Sequence, residues 1–169
     1  MAHHHNVKVR SARYGALEIP KQVVRYLRRY CQPRSSPETG GALGGYYRKN
    51  GNLVLSHVMP PSPRSRAGLF WFKRHRGDAQ IFVNTVFADT GGAANYIGEW
   101  HTHPETHPSP SSRDFKMMSD LLKNSRLETS YVIGLIVGDT GELCAWFQDK
   151  EGNREVFRAV VAGQQPKVT

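Results

Sequence analysis

A chain of 169 residues, 38% of them hydrophobic, has the size of one domain with its own core and is too short for two large ones. No apolar run approaches the roughly 20 residues of a membrane span, and no signal-peptide core follows a charged start, so the sequence reads as cytoplasmic, with no membrane partner. Lys and Arg number 23 against 14 Asp and Glu, a formal charge of +9, which suits an acidic protein or a nucleic acid through long-range attraction, although solvated faces explain it equally well and no base-reading motif accompanies it.

The opening Met1-Ala2-His3-His4-His5 reads as a tag remnant, leaving a domain over 6–162 and a frayed tail at 163–169. Val7 to Ser11 has room for an edge strand. Ile19 to Cys31 predicts a helix with Pro20 in its first turn and Val23, Val24, Leu27, Tyr30 and Cys31 on one stripe. Pro37 to Tyr47 is a strand so rich in glycine that another backbone or a ligand should pass close to it. Asn50-Gly51 turns it into a partner strand, Asn52 to Val58. Pro60 to Pro63 imposes a loop, and Leu69 to Phe72 is expected to re-enter the sheet. Asp78 to Ala88 predicts a helix with Ile81, Phe82 and Val86 near one face and Gly91-Gly92 just past its end. Tyr96 to His103 reads as a strand, Ser112 to Asn124 as a helix, and the apolar Tyr131 to Val137 as a central strand. Glu142 to Gln148 and Glu155 to Val161 complete the pattern of an α/β domain around one sheet. Cys31 and Cys144 stand far apart without CxxC spacing and read as small buried apolar residues in a reduced compartment.

The most informative stretch is Gly98-Glu99-Trp100-His101-Thr102-His103-Pro104, running on to Ser111-Ser112-Arg113-Asp114. On a strand, His101 and His103 share a face and can aim at one ion. Asp114 follows behind a proline-rich loop at a helix start, where the chain can fold back to the same point. Two imidazoles and a carboxylate, with a fourth position left to water, meet the needs of a hydrolytic zinc site.

A glutamate before a Gly-Gly strand, then HxHP, six residues, and SxxD resembles the JAMM or MPN-plus motif of JAB-type zinc isopeptidases. It falls on Glu38 in Pro-Glu-Thr-Gly-Gly, on His101 and His103, and on Ser111 and Asp114. The likeness spans residues 19 to 148. It implies a mixed β-sheet flanked by helices, akin to cytidine deaminases, and a bound Zn2+ ion. It also implies hydrolysis of the bond after the C-terminus of a ubiquitin-like protein or its conjugate. Without long inserts, the chain is most similar to short bacterial members, some of which accompany ubiquitin-transfer-like enzymes in antiphage operons. By this resemblance His101, His103 and Asp114 ligate the metal. Glu38 is the general base, and Ser111 donates to the oxyanion.

Each element also has a plainer reading when taken singly. Ser111 and Asp114 form a helix capping box, the histidines suit a core strand, and Glu38 suits a surface turn. Glu99 shares the histidines' face by alternation, and Glu105 and His107 lie in the following loop. No HExxH or PCxxC supports another metal class. RadC-like proteins, which share HxHP and SxxD, keep a DNA-associated role open by analogy, and a non-catalytic MPN-type scaffold is the third reading. A substrate tail is expected to add beside an exposed strand, with Gly40 to Gly45 or Leu69 to Phe72 as the candidate edges.

Overall fold

The computed structural model describes residues 6–160 and the backbone of Lys167–Val168; the tag-like 1–5 and most of the 163–169 tail lie outside the described residues. Strands β1 (Val7–Ser11) and β2 (Gly15–Ile19) form an antiparallel hairpin. Ile19 therefore ends a strand instead of starting a helix. Pro20 supplies the first free carbonyl of α1 (Lys21–Leu27), which accepts from the N–H groups of Val23 and Val24. Only seven residues are α-helical; Arg28–Tyr30 tightens into a 3₁₀ turn, and Arg28 Nε donates to the Gly141 carbonyl 2.9 Å away.

Next come β3 (Gly40–Tyr47) and β4 (Leu53–Val58), then a separate short hairpin of β5 (Arg66–Gly68) and β6 (Trp71–Lys73). The expected re-entry of Leu69 to Phe72 into the sheet is corrected here. These residues turn the separate hairpin at an exposed tip, where Phe70 is 73% accessible. Helix α2 (Arg76–Asp89) and strand β7 (Asn95–Thr102) follow. Helix α3 (Ser112–Asn124) then leads into β8 (Tyr131–Val137), β9 (Leu143–Asp149), β10 (Arg154–Val160) and β11 (Lys167–Val168). Ile81 faces solvent, whereas Ala79 and Val86 carry the inward face of α2. Among the described residues no helix is long and apolar enough to cross a membrane.

The large sheet runs β1-β2-β4-β3-β7-β8-β9-β10-β11, with β2/β4 and β7/β8 parallel and the other pairs antiparallel. Its ends curl towards each other: Glu155 Oε1 accepts from Arg13 N, and Tyr14 OH donates to Asp149 Oδ2 at 2.8 Å. One face packs Val23, Val24 and Leu27 of α1 against Leu17, Ile19, Leu55, Trp100 and Phe147. The other packs Ala79 of α2 and Met118 and Leu122 of α3 against Tyr96, Ile136 and Trp146. Both cysteines are free, and burial pushes the Cys144 thiol up to about 12.

Strand β3 lies between β4 and β7, so Gly40 to Gly45 is an interior strand and offers no edge. Its glycines serve close packing instead. Gly40 stands opposite His101, where a Cβ would come within 2.2 Å of the Trp100 carbonyl. At Gly98 a Cβ would fall 1.8 Å from the Ile133 carbonyl of β8. Backbone, unlike a side-chain tip, yields little, so Gly98→Ala should lower stability by about 1–3 kcal/mol or more, read as the shift of a denaturant midpoint. An unchanged midpoint would show that β7 and β8 can separate freely.

Candidate metal centre

Strand β7 delivers His101 to the sheet's second face, where its ring meets Trp146 edge-on. His103 sits one residue past the strand and is still tied to the sheet, since its N–H donates to the Val137 carbonyl at 3.0 Å. Asp114 enters from the first turn of α3. There Ser111 caps the helix: its hydroxyl accepts from Asp114 N and donates to Asp114 Oδ2 at 2.7 Å, while Ser111 N donates to the same oxygen at 2.6 Å. The cap therefore fixes the carboxylate that the site uses. Glu38 arrives just before β3, and its N–H donates to Gly68 O of the small hairpin at 2.9 Å.

These elements bring four side chains together, all nearly buried: Glu38 at 5%, His101 at 1%, His103 at 6% and Asp114 at 8% exposure. The two Nε2 atoms are 3.0 Å apart. Asp114 Oδ1 lies 3.1 Å from His101 Nε2, Asp114 Oδ2 lies 3.5 Å from His103 Nε2, and Glu38 Oε1 lies 3.8 Å from His103 Nε2. Ligand atoms of Glu38, His101 and His103 all fall within 4.8 Å of one another. Tetrahedral zinc with bonds near 2.0–2.1 Å separates its ligand atoms by ~3.3 Å, close to the His–His and His–Asp spacings. The donor set fits such an ion. Two imidazole nitrogens 3.0 Å apart cannot both point protons at each other, whereas a cation between them would take both lone pairs. Both Nδ1 atoms are buried without a hydrogen-bond partner. The carboxylate facing His103 Nδ1 is Glu105, at 3.6 Å.

The electrostatics separate the two carboxyls. Burial pushes Glu38 up to about 7, against the opposing pull of His103. Burial also acts to raise Asp114, but hydrogen bonds from His101 and His103 outweigh it and hold this carboxyl well below the usual range. His103 is raised, since Asp114 outweighs the effect of burial.

Glu99 shares the histidines' face, but its carboxylate is occupied: Arg74 Nε donates to Oε1 at 2.5 Å and Tyr96 OH at 2.7 Å. His107 is exposed and pairs with Glu142 at 3.0 Å. Gln32 was missed by the sequence reading. It is buried and accepts from Thr102 Oγ1 while donating to Ser36 O and Leu69 O, tying the loop before Glu38 and the hairpin tip to the histidine strand. Lodged between Cys31 and Pro33, it carries no periodic signal. Several of the basic residues are already paired: Arg34 with Asp139, Arg64 with Asp78 and Arg74 with Glu99.

Comparison with known proteins adds the lineage. Residues 20–149 match the family described as prokaryotic homologs of the JAB domain. A protein of Escherichia coli (strain TW11681) named CD-NTase/cGAS isopeptidase is 40% identical over 102 residues, covering 58% of this chain and 63% of that protein. A probable metalloprotease, y4qB, of Sinorhizobium fredii is 24% identical over 107 residues, covering 63% of this chain and 65% of that protein. The chain thus spans under two thirds of either relative. The solution structure of protein DSY2949 from Desulfitobacterium hafniense shares the fold, with a TM-score of 0.57 at 15% identity over 87% of this chain and 92% of that one.

Proposed function

The chain belongs to the family of prokaryotic homologs of the JAB domain, and from that premise we propose that it is a zinc-dependent isopeptidase. The bond it cuts follows the C-terminus of a ubiquitin-like protein joined to a target. The relative's name, CD-NTase/cGAS isopeptidase, supports a nucleotidyltransferase of that class as the conjugated target and a role in antiphage defence. The carrying observation is the buried convergence of His101, His103 and Asp114 with Glu38 poised 3.8 Å from His103.

In this reading His101, His103 and Asp114 would hold the ion, which would supply Lewis acidity and make a water available as a nucleophile near neutral pH. Glu38, buried beside His103, would accept a proton from the attacking water on a carboxylate oxygen as the water's oxygen bonds to the amide carbon, and would deliver that proton to the departing amine. The amide C–N bond breaks, leaving a carboxylate on the modifier and an amine on the target. Ser111 holds Asp114 in the ground state, and its hydroxyl is the donor assigned to the tetrahedral oxyanion.

Purified protein should contain about one zinc per chain, and His103→Ala should lose it; elemental analysis of both decides the matter. Equal zinc content in the two would remove the metal from this site.

With β3 interior, the hairpin β5–β6 is the edge left for an extended substrate tail. Among the described residues its strands pair only with each other, and its Gly68 carbonyl is bonded to Glu38 N, beside the metal centre. Phe70→Asp should therefore raise KM for a ubiquitin-like fusion about tenfold with kcat little changed, the signature of lost ground-state binding. A fall in kcat at constant KM would place the hairpin in the chemistry instead.

A further inference from the structure

A second cavity, away from the metal centre, lies between α2 and the C-terminal end of α3, with Tyr96 and Asn95 of β7 in its wall. Its volume is about 860 Å³, within the range of small-molecule sites. Asn95 and His101 are six residues apart on one strand, so the Asn95 end of the wall stands about 20 Å from the histidines, while Arg74 marks its nearer end. We propose that this groove binds a phosphate-bearing ligand of nucleotide size, independently of the reading given for the metal centre.

Three arginines face it: Arg74, Arg76 and Arg126, against a single lining carboxylate, Glu128. Arg74 is built in. Its Nε is committed to Glu99, itself 3% exposed and also bonded by Tyr96 OH, so the side chain is held in place where it lines the groove. A buried carboxylate that immobilises an arginine at a cavity removes most of the ordering cost that a free arginine pays on binding an anion. Among the described residues no ion pair occupies Arg76 or Arg126. Guanidinium groups match phosphate oxygens by paired N–H donors. Along the same wall Asn84 and Asn95 offer carboxamides, each donor and acceptor, of the kind that pair with purine edges. Phe87, 49% exposed, offers a ring face for stacking at the far end of α2. Arg76, Asn84 and Phe87 thus place a cation, an amide and an aromatic ring in succession along α2, with Arg74, Asn95 and Arg126 contributed from its neighbours. This sequence favours a nucleotide over a bare anion.

The site also touches the catalytic strand. Glu99, which holds Arg74, lies two residues before His101 on the same face of β7, so ligand bound at Arg74 loads the segment that carries a metal ligand.

The test is titration of the whole protein with 5′-AMP, adenosine and inorganic phosphate at fixed ionic strength, followed by calorimetry. AMP should bind saturably and at least tenfold more tightly than adenosine or phosphate. The double variant Arg76→Gln/Arg126→Gln, which alters only exposed side chains, should weaken AMP by roughly tenfold or more. Arg25→Gln/Arg29→Gln removes the same charge from the opposite face and should leave binding unchanged. Absence of saturable AMP binding overturns the proposal. So does equal weakening by the two double variants, which would mean net charge alone, and so does phosphate binding as tightly as AMP.

Discussion

Replacing Glu38 by glutamine should slow cleavage of a ubiquitin-like fusion by roughly 10²–10⁴-fold while zinc content stays at the wild-type level. The amide keeps the size of the side chain and removes its capacity to take a proton. Because the assigned metal ligands are His101, His103 and Asp114, the centre should persist and the variant should retain its conjugate as a trap. A pH profile gives the second readout. Burial raises Glu38 to about 7 in the metal-free centre, and a cation bound beside it would draw that position down, so wild-type turnover should show an acid limb below about 7 that the glutamine variant lacks. The same shift fixes a stability effect in metal-free protein. A carboxyl raised above its unfolded value contributes stability that is full below the unfolded pKa and is lost as pH rises through about 7. The variant should therefore gain on wild type in denaturant midpoint between acidic and alkaline pH. If it cuts as fast as wild type, Glu38 is not the base. Glu99 is no substitute base, since Arg74 and Tyr96 occupy its carboxylate.

The parts of this molecule that were legible in sequence are those where local chemistry and tertiary demand coincide. Helix α3 runs from Ser112 to Asn124 as its capping box foretold, because Ser111 and Asp114 satisfy each other's backbone N–H groups before any partner is considered. His101 and His103 could be placed on one face because alternation along a strand is a local rule, and the structure aims both Nε2 atoms at one point. Fold features failed where the deciding contact lay far along the chain. The aromatic run at Leu69 to Phe72 has strand composition, but β3 is already paired on both sides, so the run turns back on itself as a hairpin tip. Ala16-Leu17-Glu18-Ile19 was overlooked as β2 because so short an apolar run carries no distinguishing period, and its parallel pairing with β4 is a non-local fact. Gln32 and Arg74 are read only in three dimensions. Each is a polar residue whose burial depends on a partner about 70 or 25 positions away.

Asp114→Asn should abolish both zinc binding and cleavage while leaving the metal-free fold intact, and this separates the two roles that Ser111 and Asp114 share. As a cap, the residue at position 114 needs only an oxygen to accept from Ser111 N, now at 2.6 Å, and asparagine keeps one. As a ligand it needs the negative charge that the histidines' hydrogen bonds now stabilise, which holds its carboxyl far below the usual range despite burial. Losing one of three protein ligands leaves too few to hold the ion, so activity should fall to background, while chelated protein stays folded with a lower midpoint at neutral pH, since the carboxylate's bonds to the histidines are weakened. Ser111→Ala inverts the pattern. It deletes the cap acceptor, worth about 0.5–2 kcal/mol, and the proposed oxyanion donor, worth roughly 2.7–4 kcal/mol in other hydrolases, yet keeps all three ligands. That variant should hold zinc, unfold earlier and turn over roughly 10²–10³-fold more slowly. Zinc content, midpoint and rate measured on the same two preparations decide between the roles. Should Asp114→Asn retain zinc and rate while Ser111→Ala loses only stability, this turn of α3 is a helix cap and the metal centre must find its third ligand in Glu38, whose carboxylate already lies among the histidine nitrogens.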